Sequence, residues 1–232
     1  MERKTRNITE QFQQEYFRTR FVFDPRREPV WRAVAEFIQK HWIAKDARVL
    51  DLGAGYCDFI NHIEAKERHA LDIFQRLPEF AGPGVRAHIG SCVDMSRFGD
   101  ASFDVIFASN LFEHLTHDQM LTTLDEARRV LRLDGRLILM QPNFKYCYRT
   151  YFDDYTHLQV FTHEGMYDLL EMAGLQIESI DPRFLPVNMK TTLKLRLPAL
   201  HTLVAMYLRS PIRPLAAQML VVARNHSPNV AK

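Results

Sequence analysis

The stretch "VLDLGAGYCDF", residues 49–59, decides how the fold is read. A short apolar run carries Asp51 near its end, and two glycines, Gly53 and Gly55, follow at once. Glycine in that place serves either a left-handed turn or a backbone that something must approach closely. An ordinary strand-to-helix turn without a ligand fits the same description. The remainder of the chain separates the two.

From residue 48 onward, short apolar runs alternate with amphipathic stretches. "RVLDLG" (48–53) predicts a buried strand, and "CDFINHIEAKE" (57–67) a helix after it. Further strands are expected at "RHALDIF" (68–74), "VRAHIGSC" (85–92) and "FDVIFASN" (103–110). The last is nearly continuous in apolar character, as in a strand covered on both faces. "HDQMLTTLDEARRVLR" (117–132) repeats Met120, Leu121, Leu124, Ala127 and Val130 at helical spacing, and "LDG" ends that helix. "GRLILMQPN" (135–143) predicts a fifth strand, and "THEGMYDLLEMAG" (162–174) a second helix closed by Gly174. "LQIESIDPRFL" (175–185) and "AAQMLVVARN" (216–225) predict two final strands with no ordinary crossover helix between them. Strand–helix alternation indicates a mostly parallel α/β sheet.

Bulk properties narrow the class. The 232 residues suit one domain, and a formal net charge of +2 is too small to argue for nucleic acid as a bulk partner, so none is expected. The start, "MERKTRNITEQFQQEYF", has no apolar signal-peptide core, and no apolar run reaches the length of a membrane span. Cys57, Cys92 and Cys147 form no CxxC pair and are expected as reduced thiols, which points to the cytoplasm.

In open α/β sheets a ligand lies beyond the carboxyl ends of the strands where strand order reverses, and the first strand flanks that point. Asp72 closes the second strand about 20 residues after the first, the spacing at which a carboxylate accepts both hydroxyls of a ribose. A dinucleotide fits poorly. The G-x-G-x-x-G pattern needs glycine at position 58, where this chain has Asp58, and a carboxylate there repels a pyrophosphate. A cationic, phosphate-free nucleoside suits the loop better.

"VLDLGAGYCDF", "ALDIF", "FDVIFASNLFEHL" and "EARRVLRLDGRLILMQPN" together resemble the successive motifs of class I S-adenosylmethionine-dependent methyltransferases, over roughly residues 45 to 225. "DDYTHLQVFTHEGMYDLLEMAGL" resembles the late helix region of their small-molecule branch. The resemblance implies a Rossmann-like seven-stranded sheet with helices on both faces and the last strand antiparallel, which accounts for the missing crossover. It implies that Asp51 and the backbone of Gly53, Ala54 and Gly55 meet the methionine part of S-adenosyl-L-methionine. Asp72 then holds the ribose and Ile73 packs on the adenine. Ser91, Cys92 and Val93 line the adenine edge, and Asn110 approaches the methionine end. One departure stands out. Where the family often has Gly-Asp-Ala, this chain has Gly90-Ser91-Cys92, so the adenine amino contact becomes a hydroxyl or moves to Asp94.

Methyl transfer from a sulfonium is an in-line displacement, and a hydroxyl acceptor adds the need for a base. "NLFEHL" puts Glu113 and His114 just past the fourth strand; "YFDDYTH" (151–157) puts Asp153, Asp154, Tyr155 and His157 in a loop expected over the acceptor. His157 is the first candidate base, His114 the second, and Asp154 a third group near them. A solvated acidic loop and a packing histidine remain the plainer readings. These residues show no ligand spacing, so no metal is expected.

Residues 1–47 form an N-terminal helical extension and 48–232 the methyltransferase domain, with a basic, apolar insert at about 186–214. Arg18, Arg20, Arg26 and Arg27 form either a solvated basic face or a receptor for an acceptor's anionic group. In the insert, Leu197, Leu200, Val204, Tyr207 and Leu208 can share one helical face, with Lys190, Lys194, Arg196, Arg209 and Arg213 at its ends. Such a segment, 190–209, can lie against the inner face of a membrane or pack on its own sheet or on a second subunit of a homodimer. The expected activity is methylation, most simply at oxygen, of a small-molecule or saccharide acceptor. A cofactor-binding but inactive partner subunit, or an NAD or nucleotide-sugar oxidoreductase, are the rivals.

Overall fold

Strand β1 (Arg48–Leu52) is buried on both faces, which explains why its sequence carries no polar alternation. In the computed structural model, which describes residues 22–186 and 199–226, it lies near the middle of a seven-stranded sheet. Helix α1 (Glu28–Trp42) precedes it. Strand β2 (Glu67–Asp72), the short helix α2 (Leu77–Phe80), β3 (Val85–Ile89) and β4 (Phe103–Ser109) follow. Next come helix α3 (His117–Val130), β5 (Leu131–Pro142), the one-turn helix α4 (Phe144–Cys147) and helix α5 (His163–Met172). Strand β6 (Leu175–Pro186), helix α6 (Leu200–Arg209) and β7 (Ala216–Asn225) complete the described chain.

The strand order is β3-β2-β1-β4-β5-β7-β6. The first five strands run parallel, and β7 enters antiparallel between β5 and β6. The hairpin-like step from β6 to β7 needs no crossover, as the Rossmann-like expectation required. Strand order reverses between β1 and β4, so the crest at their carboxyl ends is the switch point.

Two apolar layers cover the sheet. Met120, Leu124, Ala127 and Val130 of α3, with Met166 and Leu170 of α5, pack against Leu50, Ile106, Leu137 and Val221. On the other face Trp31, Val34, Ala35 and Ile38 of α1 pack with Val49, Phe107, Ile138 and Val222. Both main helices on the first face start on a threonine. Thr116 and Gln119 make a reciprocal capping box, and the Thr162 hydroxyl accepts from the Gly165 N–H at 3.1 Å.

The helix expected at 57–67 does not form. Cys57 is left-handed at φ 58°, and only a 3-10 turn at Ile60–His62 follows. The Asn61 carboxamide is drawn away to the Phe80 carbonyl and the Gly82 N–H, at 2.9 and 2.7 Å. A side chain bridging to distant backbone competes with helical continuation. The third strand is also shorter than expected and stops at Ile89. The left-handed residue before β5 continues is Asp134, at φ 62°, rather than the glycine beside it.

Of the 186–214 insert, residues 187–198 lie outside the described chain, with Lys190, Lys194, Arg196 and Leu197 among them; so do Arg18 and Arg20. In the described part the apolar face packs on the protein itself, one of the alternatives the sequence left open. Leu208 is buried, and Val204 and Tyr207 pack into the same layer as α1. Leu203 and Met206 are the large apolar residues of α6 that point outward. Among the described residues no helix is long and apolar enough to cross a membrane.

Phe59 and Phe107 stack with ring centroids 3.7 Å apart, both fully enclosed between the sheet and the 3-10 turn. Phe59→Ala should cost about 3–5 kcal/mol of unfolding free energy in urea denaturation, because the cavity beneath that turn cannot collapse onto a flat sheet.

Candidate functional site

The glycine loop is shaped by hydrogen bonds to the neighbouring strand. The N–H groups of Gly53 and Ala54 both donate to the Leu71 carbonyl, at 2.8 and 3.3 Å. Gly55 N–H donates to the Asp72 carboxylate at 2.8 Å, and Phe74 N–H donates to its second oxygen at 2.8 Å. Gly53 and Gly55 are both left-handed, at φ 72° and 51°. That geometry strains any residue with a Cβ, and at Gly53 a Cβ would also crowd the Leu111 side chain at 3.1 Å. The glycines are thus required by the turn itself, and they leave the crest lined with backbone.

Three carboxylates converge beneath this loop. Asp51 is almost wholly buried, and burial, with the nearby charges of Asp72 and Asp58, holds its carboxyl well above the usual range while the Ile60 N–H opposes the shift. Burial likewise raises Asp72 against the N–H bonds that favour its charge. Asp58 is raised by burial too, but Arg27 meets it at 2.9 Å with both side chains largely covered. Arg27 is therefore a structural counter-ion and not the anion receptor that its sequence context allowed; Arg26 closes on Asp24 instead. Phe23 packs on Tyr56 and Phe80, so the segment before α1 reaches across the loop.

The loop thus presents two acids that ionise reluctantly and no helix N-terminus behind them. That combination suits a cation and disfavours a pyrophosphate. Ile73 is open to solvent at the edge of this crest. Ser91, Cys92 and Val93 are half-buried, with the Cys92 sulfur 3.5 Å from the Thr123 hydroxyl and the Ser91 hydroxyl 3.4 Å from the Val93 N–H. Asp94 is committed to the turn ahead of it, and Ser96 holds its carboxyl below the ordinary value.

On the far side of the switch point, Asn110 is left-handed at φ 49°. Its side chain is fixed by Gln218, which donates at 2.9 Å, and by the Ser109 hydroxyl at 2.9 Å. Gln141, Asn143 and Gln218 are fully buried amides at the same end of β5 and β7. Neither polar atom of the Gln141 side chain has a hydrogen-bond partner among the described residues. Sequence reasoning passed over these amides. The signal was a glutamine inside each of the apolar runs "LILMQP" and "AAQMLVV".

The 3-10 turn Phe112–His114 then carries Glu113 inward and His114 to the edge of the crest. The loop after α4 folds back onto it, with the N–H groups of Leu158 and Gln159 donating to the Glu113 carbonyl at 2.7 and 3.1 Å. This stitch brings His157 beside His114, with ring centroids 5.0 Å apart. Asp154 is buried and accepts from the Thr156 hydroxyl at 2.5 Å and the Thr156 N–H at 3.1 Å. A hydroxyl has one proton to give, so Thr156 accepts from Nδ1–H of His114, 3.0 Å away, and the Thr156 carbonyl lies 3.2 Å from the same nitrogen. With Nδ1 engaged by Thr156, Nε2 is the second nitrogen of the His114 ring. Thr156 was not among the residues singled out from sequence.

Around this group Tyr151 is buried, its hydroxyl donating to the Gln159 carbonyl, while Phe152 and Tyr155 stand exposed. Burial and the Glu113 charge raise the thiol of Cys147 to about 11 and push the Tyr151 phenol upward as well. Cys57, Cys92 and Cys147 are all free thiols.

Residues 20–180 match the methyltransferase domain family. An uncharacterised protein of Methanocaldococcus jannaschii is 28% identical over 116 residues, which cover 50% of this chain and 50% of that one. The chain thus spans about half the length of the curated relative it matches. Among solved structures, a SAM-dependent methyltransferase of Thermotoga maritima superposes with a TM-score of 0.63 at 18% identity, covering 94% of this chain and 98% of the other. The Burkholderia thailandensis 1,6-didemethyltoxoflavin-N1-methyltransferase, which holds 1,6-didemethyltoxoflavin and S-adenosylhomocysteine, superposes with a TM-score of 0.60 at 18% identity. It covers 95% of this chain and 88% of its own.

The raised carboxyls generate a linkage prediction. A folded pKa above the ordinary 3.8 means that the native state holds its proton where the unfolded chain has lost it, so ionising Asp51 at higher pH destabilises the fold. Asp51→Asn should therefore gain stability over the parent. The gain should grow as pH rises above about 4, where the unfolded carboxyl ionises, and level off once the native carboxyl has ionised too. Urea titrations of both proteins across that range measure it.

Proposed function

The chain belongs to the methyltransferase domain family, and on that premise we propose that it transfers a methyl group from S-adenosyl-L-methionine to a hydroxyl of a small-molecule or saccharide acceptor. One observation carries the cofactor half of this reading: a left-handed glycine loop over two reluctant carboxylates at the switch point. When bound, the cofactor supplies an electrophilic methyl on a sulfonium. Asp72 gives part of its acceptor capacity to the N–H groups of Gly55, Phe74 and Ile73, and its remaining lone pairs accept from the ribose hydroxyls. Asp51 balances the positive charge of the amino-acid end, and the peptide groups of Gly53, Ala54 and Gly55 contact that end closely. Ile73 and the 91–93 segment form the adenine side, with the Ser91 hydroxyl or the Asp94 carboxylate taking the place of the usual acid. Asn110, held by Gln218, borders the methionine end.

For the acceptor half, His114 is the proposed base. Its Nε2 lone pair takes the hydroxyl proton, and the Thr156–Asp154 relay steadies the imidazolium through Nδ1–H. Asp154 acts through Thr156 and is a positioning residue. His157 lies alongside as the second imidazole at the acceptor's mouth. Exposed Phe152 and Tyr155 offer flat apolar faces at the rim, the kind of surface that packs against a sugar or an aromatic ring. A peripheral lipid contact through 190–209 is proposed only in the form that α6 leaves open, with Leu203 and Met206 outward.

Calorimetry with S-adenosylhomocysteine and with NAD separates this reading from an oxidoreductase; binding of NAD alone overturns it. Asp72→Ala should weaken S-adenosylhomocysteine about 10- to 100-fold. Radiolabelled methyl transfer into an extract, fractionated into lipid, glycan, protein and small-molecule pools, identifies the acceptor class. His114→Ala should lower kcat on that acceptor by about 10²–10⁴ with little change in cofactor affinity. Product formation that ignores this substitution points to a different base.

A further inference from the structure

The acceptor side of the crest gathers more than a pair of histidines. Glu113, His114 and His157 each direct one ligand-type atom into a common space, and these three atoms lie within 4.8 Å of one another. We propose that they form a binding site for one first-row divalent metal ion, with positions left open for an oxygen of the acceptor. The site deepens the methyl-transfer reading and rests on it for its role, but not for its existence.

Nothing in the linear spacing announces such a site, because its members meet only through tertiary structure. Glu113 and His114 sit on the turn after β4, and His157 on the loop after α4. The bonds from Leu158 and Gln159 to the Glu113 carbonyl hold the two segments in register whatever lies between the side chains. The donor atoms are therefore gathered by backbone. Around a metal with bonds of about 2.0–2.2 Å, ligand atoms stand about 3–3.5 Å apart, so modest side-chain rotation closes the set.

The surroundings have the character of a metal's outer shell. A ligating histidine typically gives its second N–H to a carbonyl, hydroxyl or carboxylate, which fixes the ring and raises its basicity. His114 does this with the Thr156 hydroxyl and carbonyl, backed by Asp154, and so presents Nε2. Glu113 is almost completely buried, where a nearby cation offsets the cost of its charge. Two imidazoles and one carboxylate favour zinc, cobalt, manganese or ferrous iron over magnesium or calcium, which prefer all-oxygen sets.

Three protein ligands leave at least one coordination position for an acceptor oxygen. A hydroxyl bound there becomes more acidic and gives its proton to water. Its oxygen then forms the new O–CH3 bond as the S–CH3 bond breaks, the electron pair of that bond staying on sulfur. The metal remains divalent throughout. In the metal-loaded protein His114 is a ligand, and the metal takes over the activating task assigned above to its lone pair.

The test is a Co2+ titration of chelator-treated full-length protein, followed by visible absorption, with Zn2+ competing by calorimetry. One Co2+ per chain should bind with a ligand-field band that Zn2+ removes. His157→Gln, and the double variant His114→Ala/His157→Ala, should weaken binding at least about 100-fold while retaining the parent circular dichroism and S-adenosylhomocysteine affinity. No Co2+ band in the parent protein overturns the proposal. So does a band that persists in the double variant, as it would if the ion sat at His69 and His88, whose ring nitrogens are 3.0 Å apart. Loss of S-adenosylhomocysteine binding in the parent with the Co2+ band intact counts against the methyl-transfer reading instead.

Discussion

The Asp72 carboxylate is the constraint on which the crest depends. It accepts from the Gly55 N–H on one side and from Phe74 on the other, and so pins the loop after β1 to the end of β2. With Gly53 and Ala54 already bonded to Leu71, the loop has little freedom left. That rigidity keeps Gly53 and Gly55 in left-handed conformations that other residues resist, and it aims bare peptide toward the switch point. One acid thus ties two loops together at the crest.

Charge explains the rest of this half of the site. Three aspartates converge where the sheet offers little solvent, and only Asp58 receives a close cationic partner among the described residues, Arg27. The segment ahead of α1 thereby joins the glycine-loop side of the molecule, with Phe23 on Tyr56 and Phe80 adding an apolar contact to the ion pair. Asp51 and Asp72 keep a preference for a positive guest. The missing helix at 57–67 reinforces this, since no aligned peptide dipole sits behind the loop to attract phosphate.

Much of this architecture was legible because local pattern and global fold agree. β1, β4 and β5 are written as apolar runs, α3 and α5 as amphipathic repeats with threonine caps, and β7 as a strand arriving without a crossover. The misread stretch after Gly55 has helical composition, but Cys57 and Asn61 answer to long-range contacts that composition does not encode. The apolar face of α6 has the periodicity of a lipid-facing helix and of a packed one alike, and the part of it carrying Val204, Tyr207 and Leu208 packs with α1. The cluster around His114 and His157 was the least legible. His114 and Thr156 are 42 residues apart and meet only because two loops close on the Glu113 carbonyl.

The place of β7 also bears on how the polypeptide is made. β6 pairs in the sheet only through β7, which leaves the ribosome about 30 residues, on the order of seconds, later. During that interval the nascent protein exposes the free edge of β5 while β6 waits without a neighbour. The sheet therefore closes only after β7 has been made. Until then the β5 edge is open to pairing with other strands.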